Sequence, residues 1–269
     1  MNISVSNIIW KKGKESLPSF FSALSGHGIN GVELALNCFF EEPVDASLNE
    51  LEWLKKLLDH HHLELVSLHS LTYTRPDLEL FLSKKTSGEL TDYLCRYIDI
   101  ANTLCCKNIV FGSPKSRETY GKGNNELNDI FIDMLFKINS SNDSINFNIE
   151  PLPVEYCKYL NTFMEGVELI KSYEFNNIFI QLDVRSVIES NENIIDIFNN
   201  FKYIKHVHTG NPGLKIPGRP YEKIHNLVAS NLNSYKYNGY ITAEVVLGSR
   251  IYAYNYLDKT IESMRGFYE

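Results

Sequence analysis

The stretch IKHVHTGNPG, residues 204–213, decides the reading of the fold. His206 and His208 stand two apart with Val207 between them, and a Gly/Pro cluster then ends the run. Alternation with a period of two is that of a β-strand, which sends both imidazoles to one face. Seven further short apolar runs read as strands, at 3–10, 31–36, 63–70, 108–114, 145–151, 177–184 and 240–246, with 204–210 as the seventh in order. The segments between them carry helical spacing, clearest in SLNELEWLKKLLDHH (47–61), ELTDYLCRYIDIANTL (89–104) and NTFMEGVELIKSYEF (161–175). Eight strands alternating with helices predict an α/β fold, a (β/α)8 TIM barrel. An open doubly wound sheet is the alternative, but no GxGxxG follows the first strand and there is no P-loop. No linker or low-complexity segment divides the chain, so one domain is expected over residues 1–269.

Bulk properties agree with this. A chain of 269 residues with 43% hydrophobic and 22% charged residues is ordinary for a globular protein. At that size no disulfide or metal is needed for folding. The net charge of −7 argues against nucleic acid as a partner. No signal-peptide pattern opens the sequence and no run approaches the ~18 apolar residues of a membrane span, so the expectation is a cytoplasmic protein with no membrane partner. The five cysteines, without CxxC spacing, read as thiols in a reducing compartment.

Barrel chemistry gathers at the C-terminal ends of the strands. The fifth strand ends in NFNIEP, where Asn148 and Glu150 share a face. The sixth ends in IQLDV, with Gln181 and Asp183 on one face; the eighth puts Thr242 and Glu244 together. With His206 and His208, four successive strands place a polar pair on one face and a metal-competent group at its outer end. Buried charges are costly unless paired or metal-bound, so Glu150, Asp183, His208 and Glu244 are expected to converge on one divalent ion. Three carboxylates and an imidazole suit Mn2+, with Mg2+, Co2+ and Zn2+ as alternatives. His206, one pleat deeper, is expected behind the ligands rather than among them.

The series NIEP, QLDV, HVHTGNPGLKIPG and ITAEV resembles the xylose-isomerase-like barrel superfamily, in its sugar phosphate isomerase/epimerase branch. Ketose 3-epimerases, hydroxypyruvate isomerase and inosose dehydratase belong to that branch, and endonuclease IV is a more distant relative. GVELAL and LVSLHS fit its second and third strands. The resemblance implies the same four metal ligands and a carbohydrate isomerase or epimerase working by proton transfer next to a carbonyl through a metal-stabilised enediolate. Glu150 and Glu244 would then be the catalytic carboxylates. Dehydration of a keto-polyol is the alternative outcome, and phosphoester hydrolysis a more remote one. The chain departs from the ketose 3-epimerase pattern at Ser186, Leu214 and Asn211, where that pattern has a substrate-binding His, an Arg and a Glu.

Substrate contacts are expected from His69, at the end of the third strand, and from Arg117, Arg185 and Lys215 in loops at the active-site end. With Lys115 and Arg219 nearby, these cations suggest a small carbohydrate substrate with an anionic group. A homo-oligomer is compatible with the sequence but not specified by it. DHHH (59–62) reads as a solvated helix terminus and Glu33 as a structural residue within the barrel.

Overall fold

A computed structural model describes residues 1–10, 12–246 and 253–269. The strands are β1 (Asn2–Ser6), β2 (Gly31–Leu34), β3 (Glu64–Leu68), β4 (Asn108–Phe111), β5 (Asn146–Ile149), β6 (Ile178–Ile180), β7 (Leu182–Asp183), β8 (Val207–Thr209) and β9 (Tyr240–Ala243). All pair in parallel, in the order β6-β5-β4-β3-β2-β1-β9-β8-β7. This is a TIM barrel, and its sixth expected strand is split. Gln181 N donates to Ile149 O at 2.8 Å, and the next residue, Leu182, donates to His206 O at 3.2 Å. The strand thus passes from one neighbour to the other at Gln181, and β6 and β7 are the two halves of one seam.

The helices are α1 (Leu17–Gly26), α2 (Leu48–His60), α3 (Lys84–Thr103), α4 (Asn124–Ser141), α5 (Phe163–Ile170), α6 (Val184–Glu189), α7 (Ile194–Asn199), α8 (Glu222–Ser234) and α9 (Ala253–Tyr268). Their starts follow from local chemistry. Ser47 and Glu50 form a capping box at α2, and Ser83 and Thr86 do the same at α3. Leu51, Leu54 and Leu58 of α2 are buried at three- and four-residue spacing, each stabilising the helix–sheet layer by roughly 1.5–3 kcal/mol. Among the described residues no helix is long and apolar enough to cross a membrane.

The ladders are shorter than the apolar runs that announce them. The first run continues into a 3-10 turn at Asn7–Ile9, and the polar segment after β4 contains another at Pro114–Arg117 before α4 begins. The outward side chains (Val5, Val32, Leu34, Ile109, Phe147, Ile149, Ile241) form the core with the helices. The second face, which includes Ser4, Ser6, Glu33, Ser67, His69, Asn148, Gln181, His206, His208 and Thr242, is polar and buried. A barrel interior is ordinarily packed with branched apolar side chains, so this polar lining must be satisfied by its own members or by a ligand.

Candidate active site

Glu150 and Glu244 each stand one residue beyond a strand, after β5 and β9, while His208 lies inside β8. Glu150 Oε1 is 3.6 Å from His208 Nδ1, and Glu244 Oε2 is 3.6 Å from the same nitrogen. All three atoms are buried and none has a hydrogen-bond partner among the described residues. Each ligand atom of the trio lies within 4.8 Å of the others. Donors held about 2.0–2.2 Å from one ion stand roughly 3–3.5 Å apart, so the trio fits a divalent cation.

The other nitrogen of His208 explains its orientation. A carboxylate can only accept, so His208 Nε2 donates to Glu33 Oε2 at 2.8 Å, and His206 Nε2 donates to the same oxygen at 2.8 Å. Glu33, from β2, therefore turns Nδ1 of His208 toward Glu150 and Glu244, the outer-shell arrangement typical of metal-ligating histidines. His69 Nε2 hydrogen-bonds with Ser6 Oγ at 2.7 Å, and its Nδ1 is 3.5 Å from Glu244 Oε1. His206 lies behind the trio, as expected from its place one pleat deeper.

These contacts set the charge states. Burial pushes the Glu33 carboxyl up, but the charges of His208 and His69 and the hydrogen bonds from His206 and His208 outweigh it and hold it well below the ordinary carboxylate range. Burial disfavours a charged His208, yet Glu33 and Glu244 raise its pKa well above normal. An ion entering the trio therefore displaces a proton from that ring. Burial raises Glu150, with Glu244 and Asp183 adding to the shift. Glu244 also feels burial, but His208, His69 and Arg185 bring it well below the usual value.

Asp183, expected as a fourth ligand, is not one of the trio but lies near enough for its charge to act on Glu150. It ends β7 and caps α6, with Oδ1 accepting from Arg185 N at 3.0 Å. Its Oδ2 accepts from Arg185 Nε at 3.1 Å, Arg185 Nη2 at 3.0 Å and Ser186 Oγ at 2.7 Å. Both oxygens are thus engaged, and Arg185 Nη2 also reaches to 4.0 Å from Glu244. Ser186, where ketose 3-epimerases carry a histidine, serves Asp183 here.

A cavity of about 400 Å³ opens above these groups, lined by His69, Gly112, Glu150, Arg185 and Glu244 at the polar end and by Trp10, Tyr73, Tyr156, Leu214 and Val246 elsewhere. His69 and Arg185 lie where the sequence reading put them. Arg117 and Lys215 do not line it. Arg117 is fully buried on the turn after β4, donating through Nη2 to Glu150 O at 3.0 Å. Lys215 is exposed on a turn closed by paired hydrogen bonds to Asn211. Conversely, Lys12 lines the cavity, and its only signal in the sequence is its place just after the first strand.

A family model described as xylose isomerase-like TIM barrel matches residues 21–265. The chain belongs to that family. Among solved structures it is similar to D-psicose 3-epimerase from Clostridium cellulolyticum H10 with D-tagatose, at 16% identity and a TM-score of 0.77, with all of both chains covered. The IolI protein with a bound zinc atom aligns at 15% identity and a TM-score of 0.78, covering 100% of this chain and 98% of that one. A family 2 AP endonuclease from Brucella melitensis aligns at 18% identity and 0.71, covering 96% and 97%. At such identities the likeness establishes the fold. No curated protein sequence matches the chain.

Proposed function

We propose that this chain is a divalent-metal-dependent isomerase or epimerase of a small carbohydrate, acting by proton transfer at carbon next to a carbonyl. The observation that carries the reading is the trio of unpartnered donors, Glu150 Oε1, His208 Nδ1 and Glu244 Oε2, at the base of the cavity. The sugar epimerases among the structural neighbours support the substrate class. Glu150, His208 and Glu244 would hold the ion, Mn2+ first among the candidates, with Asp183 adjacent as the fourth residue of the expected set. The ion supplies Lewis-acid stabilisation of charge developing on a substrate oxygen, worth several kcal/mol.

The protein's own groups supply the proton chemistry. Glu150 and Glu244 approach from β5 and β9, on either side of the seam strands and β8. One carboxylate removes the proton from the carbon beside the carbonyl. Return by the other carboxylate to the opposite face inverts that carbon; return by a single group beside the original carbon gives isomerisation. His69, buried and 3.5 Å from Glu244, orients that carboxylate at the cavity wall. Trp10, Tyr73 and Tyr156 also line the cavity and would shield one side of a bound sugar from water.

The test is incorporation of solvent deuterium into a panel of ketoses and aldoses in D2O, with metal content measured alongside. Deuterium should enter one sugar carbon in the metal-loaded protein. Glu150→Gln and Glu244→Gln should each lose exchange by at least about 100-fold, the scale of general acid–base catalysis, while retaining measurable metal. Normal exchange in Glu244→Gln removes the two-carboxylate mechanism. Phosphoester cleavage with no exchange would replace the isomerase reading by a hydrolase.

A further inference from the structure

Of the four strand-end groups, Asp183 alone is fully engaged by its own neighbours. Its backbone stands in register with His208, so the chain delivers it to the same rim of the barrel. Its side chain does not join the donors that converge there: among the described residues Asp183 belongs to no set of three donor atoms lying within 4.8 Å of one another. Two residues close in sequence account for this. Arg185 grips Oδ2 through Nε and Nη2, at 3.1 and 3.0 Å, and Ser186 Oγ donates to the same oxygen at 2.7 Å. Oδ1 accepts the Arg185 backbone N–H at 3.0 Å and so caps α6. Four donors thus meet a group with about four lone-pair sites. The contrast lies within one structure. Glu150 Oε1, His208 Nδ1 and Glu244 Oε2 are also buried, yet none of them has a hydrogen-bond partner among the described residues.

Resting on the metal-dependent reading above, we propose that Arg185 is a positioning residue that holds Asp183 out of the ion's donor set. The centre is then a three-residue one, Glu150, His208 and Glu244, in place of the four that the strand-end pattern implies. Arg185 is fixed for this task. Its side chain is only 10% exposed, its guanidinium carbon lies 5.8 Å from the centroid of the Tyr156 ring, and Nη2 ends 4.0 Å from Glu244 Oε2. An arginine fork on a carboxylate is among the stronger polar contacts. Turning Asp183 toward the trio would break that fork and strip the cap from α6 at the same time. Three protein donors with positions left over is the composition of catalytic ion sites rather than closed structural ones. The position that Asp183 does not take is one that a substrate oxygen can take from the cavity.

The experiment is calorimetric titration with Mn2+, with the visible spectrum of the Co2+-loaded protein as a readout of coordination that needs no turnover. Removing Asp183 alone would leave Arg185 as an unpaired cation beside the ion, so the pair is removed together. Asp183→Asn combined with Arg185→Met keeps a cap for α6, because asparagine caps as well as aspartate. This double variant should bind Mn2+ within about threefold of wild type, where losing a ligand costs at least about 10–100-fold, and its Co2+ spectrum should superimpose on that of wild type. Arg185→Met alone frees Asp183 for the ion; it should raise affinity about tenfold and weaken the Co2+ absorption as the coordination number rises. A crystal structure of the Mn2+-loaded wild type should show Asp183 still gripped by Arg185, and it decides the point whatever the folding of the variants. An Asp183 oxygen within about 2.0–2.5 Å of the ion, a tenfold or greater loss in the double variant, or an unchanged Co2+ spectrum in Arg185→Met each overturns the inference while the ion centre stands. A wild type that binds no ion, or binds it away from Glu150, His208 and Glu244, overturns the centre and this inference with it.

Discussion

Replacing Gly112 by alanine separates the folding of the barrel from the assembly of its donor set. Gly112 follows β4 and faces Glu150. A Cβ added there would meet Glu150 Oε2 at 2.1 Å and Glu150 Cδ at 3.3 Å, with the next atom 3.7 Å away. No positive φ is involved, so an L-residue fits the backbone without strain. The only group that must yield is the end of a flexible side chain. Clearing a normal contact takes a shift of roughly 1 Å, against the ~0.2 Å tolerance of a metal–ligand bond. Displacing one of three donors on that scale should weaken divalent-ion binding about 10–100-fold, or roughly 1.4–2.7 kcal/mol. The metal-free protein should keep its melting temperature or gain slightly, since Gly→Ala restricts the unfolded chain. Calorimetric titration with Mn2+ alongside thermal melts of the metal-free form reads both quantities. Wild-type ion affinity in Gly112→Ala would show that Glu150 is not a ligand. A large loss of melting temperature would show that the clash falls on the backbone.

Two other perturbations follow from the polar interior. Glu33→Gln leaves one acceptor oxygen for two histidines that both donate to a single carboxylate oxygen; it should lower stability by about 1–3 kcal/mol and ion affinity about tenfold or more, and unchanged affinity by calorimetry would show that the orientation of His208 does not depend on Glu33. Burial lowers the pKa of His225 to about 4, and its ring is fully enclosed against Tyr268, Thr209 and Asn211. A histidine whose folded pKa lies below its unfolded ~6.5 contributes stability that is complete above pH 6.5 and is lost as pH falls toward 4, up to roughly 3 kcal/mol. His225→Gln should flatten that part of the stability curve in denaturant titrations, and a parallel curve would assign the acid lability elsewhere.

Much of this architecture could be read from local pattern because a strand's period of two is a local property. NFNIEP, VHT and TAE each place their polar residues on one side without reference to any other strand, and Glu150, His208 and Glu244 do converge. What pairs with what is a different kind of information. Glu33 alternates correctly within GVEL, yet its partners His206 and His208 are 173 and 175 positions away. Arg117 sits in a polar, glycine-containing stretch indistinguishable from solvated loop, and only the turn after β4 folds it beneath Glu150. Nearness to Asp183 in the sequence places Arg185 at the site, but its fork closing on one oxygen of that carboxylate while its backbone N–H takes the other depends on Asp183 capping α6, a geometry of the strand-to-helix junction. The break at Gln181 has no local signal either, since it arises where the sixth strand exchanges neighbours. Lys12 carries no such signal, because WKKGKES offers three lysines and no periodicity to rank them.

The shared oxygen of Glu33 has a consequence for anyone wishing to transplant this centre. Its donors come from β5, β8 and β9, and a graft designed from them alone would reproduce their positions. The choice of which imidazole nitrogen looks outward would be left to chance, because that instruction is written on β2, on the opposite arc of the ring. The smallest portable unit is therefore a four-strand one, and a recipient barrel with an aliphatic residue at the position of Glu33 would receive the residues of the site without its polarity.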